Sequence, residues 1–200
     1  ESLLKRRRLE IHHRLADLFE ADPNAASELV AHHATEAGLT EKAVLLWEEA
    51  ARKAQARPAY VEAGNHLRTA LNLVSGLLDK PEWRERELAM LVQLAQIHIA
   101  KDGYASEEAG NAFSRALDRI AATSDAELKV AIYYGTWIAP YIGNDLYRAF
   151  DLVSRLVVEM SDEVDPIPRI ISRRMRAATL ITMGRSSEAL EDLATAFALY

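Results

Sequence analysis

Small residues recurring at a fixed interval constrain this chain more than any other feature. Alanines stand in pairs seven apart, Ala43 and Ala50, Ala63 and Ala70, Ala109 and Ala116, Ala189 and Ala196, with Ala149 followed by Leu156. The steps from 109 to 149 and from 149 to 189 are both 40 residues, and Gly103, Gly143 and Gly184 keep that step to within one residue. Residues seven apart lie two turns along one helical face, where a methyl group lets a paired helix approach closely. Such recurrence marks stacked helical hairpins, and the alanine pairs are expected on the second helix of each.

The last 33 residues show the unit most plainly. Ile170, Ile171, Met175, Ala178 and either Ile181 or Thr182 follow steps of three and four, residues 183–187 interrupt around Gly184, and Ala189, Leu190, Leu193, Ala196, Phe197 and Tyr200 resume the period. Neither helix buries its apolar stripe alone, so each needs its partner and a neighbouring hairpin. The same period predicts helices over 3–21, 25–37, 40–57, 59–78, 81–102, 106–122, 125–141 and 146–160, and another opening at Asp165 and Pro166, about ten in five hairpins. Thr40, Ser106 and either Ser124 or Asp125 are the expected caps, and Pro140 is expected to kink or end its helix. Strand-like alternation persists nowhere, so the expected fold is an all-α solenoid.

The chain has 200 residues, with 24 Lys and Arg against 30 Asp and Glu and a net charge of -6. A nucleic-acid surface needs a concentrated positive field, so direct nucleic-acid binding is not expected. The basic run Lys5, Arg6, Arg7, Arg8 reads as a solvated helix face or a contact with a preceding domain. With no cysteine, disulfides, thiolate nucleophiles and cysteine-ligated zinc are excluded. No run approaches about 18 uncharged apolar residues and no signal-peptide pattern opens the chain; the expected setting is cytoplasmic, away from membranes. Glu1 at the start and Tyr200 inside an unfinished apolar pattern give the expectation that a parent protein continues at both ends.

Histidines are the first candidates for chemistry. His12 and His13, and His32 and His33, are adjacent pairs, and adjacent helical residues point about 100° apart, a poor chelating arrangement. Glu28 with His32, or His32 with Glu36, has the four-residue spacing of a metal-binding helix and equally of an ordinary surface pair. Serines and threonines sit mostly at caps and turns, and no glycine-rich loop follows a strand. No catalytic residue, metal ligand or cofactor is therefore assigned. Tyr133, Trp137 and Tyr141 form an aromatic stripe on one helix, which either packs between hairpins or anchors a partner.

Taking Ala189 and Ala196 as reference, Ala177, Leu180, Gly184 and Leu193 fall where the tetratricopeptide repeat has small, large, glycine and large residues. Trp47, Ala51, Ala63, Leu67 and Ala70 fit similarly, and the chain resembles that family. It departs from it in an interval of 40 rather than about 34, in Arg173 where the repeat has tryptophan, and in Leu156 for an alanine; HEAT repeats share intervals near 40. The run 32–44 with Trp47, then Val61, Glu62, Ala63, His66, Leu67, Ala70 and Leu71, then residues 101–105, also resembles the segment after the ATPase module in bacterial STAND-type signalling proteins. Those proteins join class III adenylate or guanylate cyclases, or winged-helix or LuxR-type DNA-binding domains, to a tetratricopeptide tail.

The resemblance implies that 1–24 ends an ATPase module and that 25–200 is a right-handed superhelical α-solenoid, truncated at its C-terminus. It also implies that Tyr133, Trp137 and Tyr141 line the concave face, with Glu48, Arg52, Gln93 and Arg174 pointing into the same groove. No phosphate-binding loop and no paired cyclase aspartates stand in the sequence, so the parent's catalysis is expected elsewhere. The expected role is a non-catalytic scaffold that holds a protein, a peptide or another domain of the parent chain. A structural segment pairing with a second copy, a homodimer, is the alternative.

Overall fold

The computed structural model describes residues 2–22 and 24–200. They form α1 (Ser2–Glu20), α2 (Ser27–Glu36), α3 (Thr40–Ala56), α4 (Tyr60–Val74), α5 (Pro81–Asp102), α6 (Glu107–Leu117), a short 3-10 turn (Ile120–Ala122), α7 (Ala126–Ile142), α8 (Leu146–Glu159), α9 (Pro166–Thr182) and α10 (Ser186–Ala198). Among the described residues there is no strand, and no helix is long and apolar enough to cross a membrane.

Helix starts follow side-chain chemistry. Ser106 accepts a hydrogen bond from the Ala109 amide, Asp125 from those of Glu127 and Leu128, Asp145 from Arg148 and Asp165 from Ile167, each satisfying a donor that the first turn leaves orphaned. Thr40 is not a cap: it lies within α3, and the cap position belongs to Leu39 without a side-chain bond. The turns after α2, α3, α7 and α9 share one closure, in which the amides of Leu39, Ala59, Asp145 and Arg185 reach back to the carbonyls of Ala34, Ala54, Pro140 and Leu180. That bond wants a left-handed residue before it, which Gly38 (φ 75°) and Gly184 (φ 77°) supply. In the α7–α8 turn the position is taken by Asn144 (φ 62°), not by Gly143, whose φ is -73°. Along the 40-residue interval the left-handed positions are therefore 103, 144 and 184.

Two further expectations change. The helix expected over 106–122 breaks after Leu117 and resumes only as the 3-10 turn, and the one expected to reach 78 ends at Val74. Pro140 lies within α7, which ends two residues later at Ile142. In the last turn a missing amide forfeits a single bond, and the Pro140 carbonyl is satisfied by Asp145.

The chain divides into two compact units, Glu1–Lys101 and Asp102–Tyr200. In the first, α2 packs on α1, α3 on α2 and α4 on α3, with α5 against α4 where Leu94 and Ile97 approach Gly64. In the second, α6, α7, α8, α9 and α10 pack in succession, and α7 also lies along α9. All nine of the paired alanines are at most 5% exposed, and Leu156 is fully buried. The small face is not confined to second helices, however: Ala43 and Ala50 lie on α3, which is packed on one side by α2 and on the other by α4. Contact on two sides demands methyl-sized residues on α3 as well.

Arg173, which stands where the tetratricopeptide pattern has tryptophan, is explained by a partner. Asp192 on α10 is buried and bonds Arg173 at 3.0 Å and Arg176 at 2.6 and 2.5 Å, so a charged cluster fills the space between α9 and α10.

Candidate functional site

The aromatic stripe on α7 divides by depth. Tyr133 is fully buried in the core of the second unit among Val130, Ala149, Val153 and Leu156. Its hydroxyl donates to Glu159 Oε1 at 2.5 Å, and burial first, then that hydrogen bond and the carboxylate charge, push its ionisation well above the usual tyrosine range. Trp137 is 5% exposed, its indole N–H donating to Thr179 Oγ1 of α9 at 3.0 Å. Tyr141 stacks on Trp137 with ring centroids 4.5 Å apart and hydrogen-bonds Thr182. Each four-residue step along a helix overshoots a full turn by about 40°, so the stripe winds from the core to the rim over its length.

Beside it, α7 and α9 enclose a groove of about 350 Å³ lined by Tyr134, Trp137, Ile138, Ile171, Arg174, Met175 and Ala178. Trp137 and Met175 form its floor, and Arg174 and the 41%-exposed Tyr134 stand at its edges. The four-residue spacing does not single out Tyr134; its position one residue, about 100°, past the core-facing Tyr133 is the signal that finds it. Gly135 lies deeper: a Cβ there would stand 2.1 Å from the Phe113 ring, so α6 is seated on α7 by the missing side chain.

The first unit holds the other residues that the resemblance pointed to. Glu48, Arg52 and Gln93 come together with Leu45, Glu49 and Arg86 around a groove of about 420 Å³ between α3 and α5. Arg86 bonds Glu48 at 2.6–2.7 Å, and Gln93 donates to Gln55 at 3.2 Å. Glu48 and Arg86 are thus spent on each other, and Gln93 and Glu49 on Gln55 and Lys53 of α3.

Histidines from both adjacent pairs meet between α1 and α2. His12 Nδ1 lies 2.9 Å from His33 Nδ1, Phe19 stacks on the His33 ring, and His32 approaches edge-on. Desolvation, then His12 and His32, holds the His33 imidazole below its ordinary ionisation range. Glu36 is hydrogen-bonded by Arg8, which keeps its carboxyl below the usual range. Arg6 pairs with Glu10, so two members of the basic run on α1 are matched by carboxylates.

No protein-family model matches the chain. An uncharacterized protein of Rhizobium meliloti (strain 1021) is 26% identical over 205 residues, covering all of this chain and 20% of that protein. The chain thus spans about a fifth of the length of the curated relative it matches. Among solved structures, nearly identical TPR-like repeats assigned to a kinesin light chain of Podosopora anserina align with 97% of this chain and 93% of theirs, at a TM-score of 0.60 and 19% identity. A point variant of those repeats gives a TM-score of 0.61 and 18% identity over the same shares. BtubC (BKLC) from P. vanneervenii aligns over 98% of this chain and 90% of its own, at 0.58 and 16%. The fold is accordingly an all-α, TPR-like helical-repeat solenoid.

Proposed function

We propose that the chain is a non-catalytic, cytoplasmic protein-interaction scaffold, and that the α7/α9 groove of its second unit is where a peptide or protein segment docks. The observation that carries this is one juxtaposition: an aromatic floor, Trp137, beside an exposed Tyr134 and the cation of Arg174 at the groove's edge. Aromatic and arginine side chains enrich the centres of binding surfaces, and the polar rim selects orientation. The matching segment carries a large apolar side chain for the floor and a carboxylate for Arg174. Trp137 is held by Thr179, so it presents a fixed surface and little ordering entropy is lost on binding. The resemblance of 32–105 to STAND-type signalling proteins supports placing this scaffold inside a larger bacterial regulator, with residues 1–24 ending an ATPase module and docking biasing the parent's active state. The short share of the Rhizobium relative that the chain spans fits a parent of several domains.

Panning a displayed peptide library on the chain tests the groove. Enriched peptides should carry an aromatic or aliphatic residue near an acidic one, and Tyr134→Ala and Arg174→Glu should each weaken them about tenfold, about 1.4 kcal/mol. No enrichment, or peptides that bind both variants as well as the natural chain, overturns the reading. A second reading, self-association, is favoured by the outer face of α10, where Leu190 is 66% and Phe197 83% exposed. Light scattering across a dilution series decides that point: a concentration-dependent mass that Phe197→Ser abolishes would establish it.

A further inference from the structure

Glu62 and His66 stand four residues apart on α4, one turn along the same face, and α2 brings Glu28 to meet them. One carboxylate oxygen from each glutamate and one imidazole nitrogen lie within 4.8 Å of one another. His66 Nε2 is the telling atom. It is buried without a hydrogen-bond partner, 3.5 Å from Glu62 Oε1, on a side chain only 12% exposed. A buried nitrogen left unpaired is costly, and such an orphan calls for a partner that completes it. The ring is held in place by Trp47, whose centroid lies 5.1 Å away and whose indole N–H is tied to Thr35 Oγ1 at 3.0 Å.

We propose that Glu28, Glu62 and His66 bind a divalent transition-metal cation of the zinc class and so clamp α2 to α4. One imidazole and two carboxylates form a donor set suited to borderline dications, and three protein ligands leave a coordination position for water. Ligand atoms around zinc stand about 3 Å apart, so closure asks for shifts of about 1–2 Å, within the rotamer reach of two glutamates. Two carboxylates balance the dication. Arg57, which bonds Glu62 Oε1 at 2.5 Å and is 61% exposed, swings outward to release its partner. Glu28, which the local spacing sets beside His32, also lies near His66, two helices on. The site lies in the first unit and stands independently of the α7/α9 groove.

Equilibrium dialysis of the whole chain against zinc sulfate tests it, with uptake and thermal midpoint as readouts. The natural chain should take up one zinc per chain and melt at a higher temperature in its presence. Glu28→Gln, a change in the half-buried first turn of α2, should weaken uptake by about tenfold or more and abolish the thermal shift. His33→Ala, which dismantles the separate α1–α2 histidine cluster, should leave both intact. Uptake unaffected by Glu28→Gln, uptake lost with His33→Ala, or no zinc on the natural chain overturns the proposal. Since Glu28→Gln alone decides the first outcome, failure of His66→Ala to fold would not rescue it.

Discussion

The grooves between α3 and α5 and between α7 and α9 are each framed by two helices that stand two elements apart in the chain, yet their chemistry is opposite. In the first, Glu48 bonds Arg86 and Gln93 bonds Gln55 across the gap. In the second, Trp137, Ile138, Ile171 and Met175 present apolar surface with Arg174 at the edge. The buried alanines fix how closely helices approach; they place no demand on the residues facing away from them. A repeat architecture therefore sets where a groove lies, and the outward residues decide whether it is closed by its own ion pairs or open to a partner.

That contrast breaks most readily at Trp137. Trp137→Ala should destabilise the chain by about 3–5 kcal/mol, because it leaves a cavity and removes the indole bond to Thr179, whose hydroxyl keeps only its own bond to the Met175 carbonyl, whereas Glu48→Ala should stay within about 1 kcal/mol, the value of a partly exposed ion pair. Urea denaturation of both variants measures the difference, and equal losses would erase the distinction. Next is Gly135→Ala, expected to cost about 1–3 kcal/mol by overpacking Phe113, with Gly110→Ala, in open space, as the neutral or stabilising control. Tyr133→Phe should cost about 1 kcal/mol in the same assay, since Glu159 keeps Lys129 nearby at 3.7 Å. The smallest effect is one of pH and belongs to the first unit. His33 has its folded pKa below the ordinary value of 6.5, so the unfolded chain binds the extra proton first, and stability should fall as pH drops through and below about 6.5. His33→Asn should flatten that slope in a pH series of melting curves; an unchanged slope would show that His33 is not its source.

Much of the fold is legible in the sequence because helical packing writes a periodic signature. Every expected helix exists, and Ser106, Asp125 and Asp165 mark starts as their chemistry demands. The left-handed turn at Asn144 falls one residue beyond Gly143, since glycine advertises that conformation while asparagine adopts it less conspicuously. Pro140 marks the end of α7 only to within two residues, because a proline in the last turn forfeits just one bond and boundaries are not sharply defined by periodicity. The groove is only half legible. A four-residue stripe looks like one face on paper, but its winding hides Tyr133, and Tyr134, one residue off the stripe, lines the groove. Contacts between distant elements, such as Glu28 with His66 or Arg173 with Asp192, leave no trace in local spacing.

Recognition is proposed to reside in the aromatic groove and not in the ion-paired one. Amide NMR of the chain titrated with a peptide enriched by panning measures this directly. Shifts confined to Tyr134, Ile138, Ile171, Arg174 and their neighbours, abolished by Arg174→Glu and untouched by Glu48→Ala, are the predicted result. Shifts centred on Glu48, Arg52, Arg86 and Gln93 would contradict it.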